Sequence, residues 1–197
     1  VLLLAVVCLF VSFSFGCGSL DGLPNAFQIK EKNFGREHFD VVSEKNTVGS
    51  YVVDILTARG KTEFKDSEGD SAAHSLNHYL SVGSKYTVTN CVDGDEWTIH
   101  TQIGLGNGTT FKVSLNGTDI AKFDAADITN IAVTSTGIPK VDYATISQLR
   151  ESPLTWNVTI TNRSQVPPYV TGFIPILVAI PPPPSATPTP LPPPARR

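Results

Sequence analysis

The sequence predicts a mainly β protein: a closed antiparallel barrel of about twelve strands around a C-terminal hydrophobic helix. Three observations predict it. Between residues 26 and 162 helical periodicity is nearly absent, and a two-strand unit recurs at intervals of 20–25 residues. Gly, Asn and Asp punctuate those units where tight turns are needed. The only long apolar run after the first residues, Val166–Ile180, comes at the end of the patterned region.

The chain has 197 residues, enough for one domain with a sizeable core. Its formal net charge is −3, and its 15 Lys and Arg residues are scattered. That argues against nucleic acid as a partner, which selects a clustered basic footprint. The chain opens on Val1 and contains no methionine, so it is expected to lack the protein's true start. Residues 1–16 open with VLLLAVVCLFVSFSF, the length and apolarity of a signal-peptide core. Ser14 and Gly16 supply the small residues that direct cleavage before Cys17, and residues 17–25 are expected as a linker. Four N-x-S/T sequons at Asn107, Asn116, Asn157 and Asn162 support secretion independently. After cleavage Cys17 and Cys91 remain; in an oxidising compartment they either pair or stand apart.

Residues 26–180 form the expected barrel domain. The first strand of each unit starts at Phe39, Phe64, Tyr86, Phe111, Ile131 and Trp156. The second strands are Tyr51–Leu56, Ala73–Leu80, Glu96–Ile103, Ile120–Ala125 and Val141–Leu149, with Phe27–Lys32 in front. In Trp156–Ile160, Trp156, Val158 and Ile160 face one way while Asn157 and Thr159 face the other. Glu68-Gly69, Asp93-Gly94, Asn107-Gly108 and Asn116-Gly117 tolerate the positive φ of hairpin turns. So many antiparallel strands avoid open edges by closing, and a barrel that wide needs a filler.

Val166–Ile180 is that filler. A membrane span needs about 20 apolar residues, and this run is shorter and carries three prolines. Pro167 and Pro168 suit a helix start, where a missing N–H costs nothing. Tyr169, Phe173, Ile174, Ile176, Leu177 and Ile180 are the expected core contacts, since the helix is apolar on every side. Pro175 counts against a helix at about 3 kcal/mol, leaving a kink or an extended strand as the alternative. Residues 181–197 form a proline-rich disordered tail of polyproline II character, with Ser185, Thr187 and Thr189 as O-glycan acceptors.

Phe27-Gln-Ile-Lys-Glu-Lys, Phe39-Asp-Val-Val-Ser-Glu-Lys-Asn, Tyr51-Val-Val, Lys85-Tyr-Thr-Val-Thr and the closing Ile174–Ile180 run, in that order and spacing, carry a family likeness. Over residues 26–180 the chain resembles the tubby C-terminal-like superfamily, nearest its LURP-one-related branch. The resemblance implies a twelve-stranded barrel around a C-terminal hydrophobic helix. It also implies binding of lipid, phosphoinositide or membrane surfaces. The signal-like start, the sequons, the proline tail and Pro175 depart from the family pattern.

The patterns of known catalytic sites are not found, and no catalytic residue, cofactor or metal is expected. Gly104–Gly108 is glycine-rich but precedes a strand, which makes it a turn and not a phosphate cradle. His74 and His78 have a spacing that binds zinc on a helix; on a strand it spans about 13 Å, too far for one metal. The acidic stretches Glu63–Asp70 and Asp93–Glu96 fail the calcium-loop template and fit charged hairpin tips. The expectation is therefore a secreted, glycosylated, non-enzymatic binding or structural module, surface- or wall-associated through its tail. Its partner would be an extracellular glycan, a wall component or a protein. The alternatives are lipid-surface binding, as in the superfamily, and a self-assembling fibre subunit.

Overall fold

A computed structural model describes residues 17–33, 35–54, 60–78, 84–102 and 110–179. The expected signal segment, Gly104–Gly108 with Asn107, Ile180, and the tail with Ser185, Thr187 and Thr189 lie outside the described residues. The strands are β1 Ala26–Glu31, β2 His38–Ser43, β3 Asn46–Asp54, β4 Lys61–Asp66, β5 Ser71–Asn77 and β6 Lys85–Asn90. They continue as β7 Glu96–Gln102, β8 Thr110–Leu115, β9 Thr118–Asp124, β10 Asn130–Ser135, β11 Asp142–Glu151 and β12 Leu154–Ile160. Each pairs antiparallel with its neighbours in sequence, and β1 closes the barrel against β12. The closing seam sets Phe27 opposite Val158 and Ile29 opposite Trp156.

Alternation decides which side chains point in. On β1 Phe27 and Ile29 are buried while Ala26 and Lys30 are exposed; on β12 Trp156, Val158 and Ile160 are buried while Asn157 and Thr159 face outward. Register shifts at Val41/Val42, Phe64/Lys65, Val113/Ser114 and Val133/Thr134 break the alternation, as bulges do where a sheet curls. The turn chemistry holds at three described sites: Gly69, Gly94 and Gly117 have φ of 93°, 74° and 82°. The exposed Asn116 adopts φ 49° before Gly117, the pattern of a type I′ turn.

Inside runs α1, Pro168–Ala179, with Pro168 at its first position. Thr171 donates both its N–H and its hydroxyl to the Pro167 carbonyl, at 3.1 and 3.2 Å. Every residue from Pro168 to Leu177 is buried, which is why the sequence has no polar face there. The helix continues through Pro175. Burial offsets the proline penalty: each large side chain taken out of water is worth roughly 1.5–3 kcal/mol. Tyr169, Phe173, Ile174, Ile176 and Leu177 all join the core, as expected.

Tyr51 ties wall to helix. Its hydroxyl donates to the Tyr169 carbonyl at 3.0 Å, and its ring meets Phe173 edge-on at 4.9 Å and Phe64 at 5.0 Å. Gly172 faces that ring, leaving no room for a Cβ. At the far end of the barrel, Tyr86 donates to the Leu177 carbonyl and Arg36 to that of Ala179, each at 3.4 Å. A cation at a helix C-terminus is favourable against the helix dipole.

Residues 17–25, expected as a linker, pack onto the barrel instead. Leu23 is buried, and the segment is pinned by Gly18 N–H to the Ser71 carbonyl at 2.9 Å and Ser19 N–H to Asp66 Oδ2 at 2.8 Å. Cys17 and Cys91 form a disulfide across 74 residues, with Cα atoms 5.7 Å apart. The pairing left open above is made because the Gly18 contact brings Cys17 beside the start of the β6–β7 loop.

Candidate functional site

The helix fills the lumen, so the surfaces available to a partner are on the outside. Three strands build one polar cleft there, of about 380 Å³. Thr98 and His100 come from β7, Ser114 from β8 and Asp119 from β9, with Ser84 and Lys85 on the near rim. Register aligns Lys85, His100, Lys112 and Lys122 as direct neighbours across β6, β7, β8 and β9. Asp119 accepts from the Lys112 ammonium and from the Ser114 hydroxyl at 2.7 Å. Those two bonds, Lys112 first, hold its carboxyl below the usual range; partial burial opposes them. His100 Nδ1 is enclosed with no hydrogen-bond partner among the described residues.

This cleft can hold a polar or anionic group through Lys85. Among the described residues Ser114 donates its hydroxyl to the Asp119 carboxylate and not to a histidine nitrogen, unlike the nucleophile of a Ser–His pair. The sequence reading missed this cleft. Its members are scattered through the sequence and become neighbours only through register; the one available signal was polar residues at the outward positions of successive hairpins.

A larger groove, about 540 Å³, lies over β1 and β2 and reaches the closing seam at Asn157. Pro24 and the Glu44–Lys45 turn wall it, Ala26 and Val42 lie along its floor, and Gln28 and Asn157 line it. Asn157 is half-buried, opposite Gln28 on β1 and Ser147 on β11. The other described sequons differ in setting. Asn116 sits at an exposed turn tip; Asn162 follows β12 and accepts from Ser164 of its own sequon at 2.8 Å. All three are on the outer surface.

The two histidines singled out by spacing are not brought together on a common ligand. His74 is on the outer face of β5 opposite Glu63, and His78 Nε2 lies 2.8 Å from Thr87 Oγ1. Burial, then the nearby Lys61 ammonium, pushes the His74 imidazole below its ordinary value. Among the described residues no group of three or more His, Cys, Asp or Glu is assembled to hold a metal. The acidic tip resolves into backbone capture: Asp66 accepts from the N–H groups of Ser19, Glu68 and Asp70 at 2.8, 3.0 and 3.0 Å. Burial pushes the Asp66 carboxyl up, but these amides together outweigh it and hold the group low. Among the described residues no helix is long and apolar enough to cross a membrane. No protein-family model, curated protein or solved structure matches the chain.

Proposed function

We propose that this chain is a secreted, N-glycosylated module that binds or builds extracellular material and does not catalyse a reaction. The observation that carries the reading is the outward position of all three described sequon asparagines on a barrel whose interior is taken up by its own helix. The Cys17–Cys91 disulfide supports it, because such bonds persist in oxidising compartments. A barrel threaded by a C-terminal apolar helix also agrees with the tubby-like resemblance, without being specific to that superfamily. The test is expression in a glycosylating secretory host. Secreted protein, oxidised at Cys17 and Cys91 and carrying glycans at Asn116, Asn157 and Asn162, is the expected product. Intracellular protein with free thiols and bare asparagines would remove the reading.

A second reading, binding to an anionic lipid surface, is favoured by the Lys85–His100–Lys112–Lys122 row. Flotation with anionic but not neutral liposomes, weakened by salt, is its expected sign. Absence of flotation removes it.

A further inference from the structure

We infer that the glycan on Asn157 does not project into solvent but lies along the seam groove, as a covalently attached part of the β1–β12 closure. The inference rests on the proposal that the sequons are used, and goes beyond it by giving one of them a receptor on the same chain.

Four observations carry it. Asn157 is the one described sequon asparagine in the middle of a strand, and it lines the larger of the two grooves. The groove has the chemistry of a saccharide site. Ala26 and Val42 present an apolar floor to the C–H face of a pyranose, while Gln28, Lys30, Glu44 and Lys45 supply donors and acceptors for its hydroxyls. The turn that walls it is strained. Glu44 and Lys45 have φ of 50° and 83°, left-handed values that cost a residue with a side chain roughly 1–2 kcal/mol each. The Asn116–Gly117 turn meets the same geometry with residues that tolerate it. Strain kept where glycine would relieve it points to a use for the side chains, and both line the groove. Finally, attachment at Asn157 supplies the first sugars at an effective concentration of about millimolar or higher, so weak contacts suffice.

The test uses full-length glycoprotein from a secretory host. Site-resolved mass spectrometry first reads occupancy, and native endoglycosidase digestion then reads release at Asn157 and Asn116 separately. Release at Asn157 is expected to be about tenfold slower, the factor for a docked state favoured by about 1.4 kcal/mol. Ala26→Trp fills the floor, and Glu44→Asn with Lys45→Gly removes the wall while relaxing the turn. Each is expected to bring Asn157 up to its unprotected rate without altering Asn116. Thr159→Ala, which deletes only this sequon, is expected to lower the urea midpoint where Thr118→Ala, which deletes the Asn116 sequon and leaves its turn intact, does not. Slow release that both groove variants leave unchanged overturns docking, as does equal release at the two sites in the unmodified chain. Occupied Asn116 and Asn162 with a bare Asn157 overturns the inference alone; bare asparagines throughout overturn the proposed function as well.

Discussion

Replacing Gly172 by alanine tests the contact between helix and wall. In an isolated helix the change favours folding by about 1 kcal/mol, because glycine is a poor helix former. Here a Cβ would come 2.9 Å from Tyr51 Cζ and 3.2 Å from Cε2, with the hydroxyl oxygen closer still. Tyr51 has nowhere to go: it is fully buried, wedged between Phe64 and Phe173, and bonded to the Tyr169 carbonyl. Overpacking of this kind costs about 1–3 kcal/mol, and stranding the buried hydroxyl costs about 1–3 kcal/mol more. The net expectation is a loss of about 1–5 kcal/mol once the propensity gain is subtracted. Urea denaturation followed by tryptophan fluorescence reads it directly. Adding Tyr51→Phe to Gly172→Ala removes the closest atom and should recover part of the loss, giving a favourable coupling energy between the two sites. A Gly172→Ala variant as stable as the parent, or more so, would refute the packing of α1 against β3.

Other outcomes follow from the same geometry. Relaxing the β2–β3 turn with Glu44→Asn and Lys45→Gly should raise stability of the unglycosylated chain by about 1–3 kcal/mol, the strain of two residues less about 1 kcal/mol for the backbone entropy of the glycine, measured by chemical denaturation. Reducing the disulfide, or replacing Cys17 and Cys91 by serine, should cost about 4 kcal/mol on the chain-entropy account of a loop this long, visible as a lower urea midpoint. Tyr169, pushed up to about 12 by burial and then by Asp93, stays protonated in the fold at pH values where the unfolded chain ionises. Its contribution is complete below pH 10 and is lost as pH rises from 10 to 12, so denaturation midpoints should fall across that window. Asp66 has the opposite sign. Its depressed carboxyl contributes above the ordinary value of 3.8 and loses that contribution as pH falls further; Asp66→Asn should flatten this acid limb.

What could be read beforehand was local. The Trp156–Ile160 alternation gives the facing of β12, and the uniform apolarity of Val170–Leu177 gives a helix enclosed on all sides. Asn116-Gly117 announces its own turn. What escaped depends on contacts distant in sequence, or on strain. Nothing in Glu44-Lys45 signals a turn, since neither residue favours positive φ; the pairing of Ser43 with Asn46 imposes it. The segment before β1 looked like a linker because its apolar residues are few. Leu23 is nonetheless buried, once Asp66 and Ser71 hold the chain in place. The His100 cleft and the seam groove are products of register and closure, so no single stretch of sequence contains either.

Hydrogen exchange along α1, combined with solution sizing, tests the central claim that this helix fills its own barrel. The account predicts that amides from Val170 to Leu177, Pro175 aside, exchange only through global unfolding in a monomer, at the same free energy as the β12 amides. Rapid exchange of those amides in a folded monomer, or protection that appears only in an oligomer, would contradict it and transfer the helix to a contact between chains.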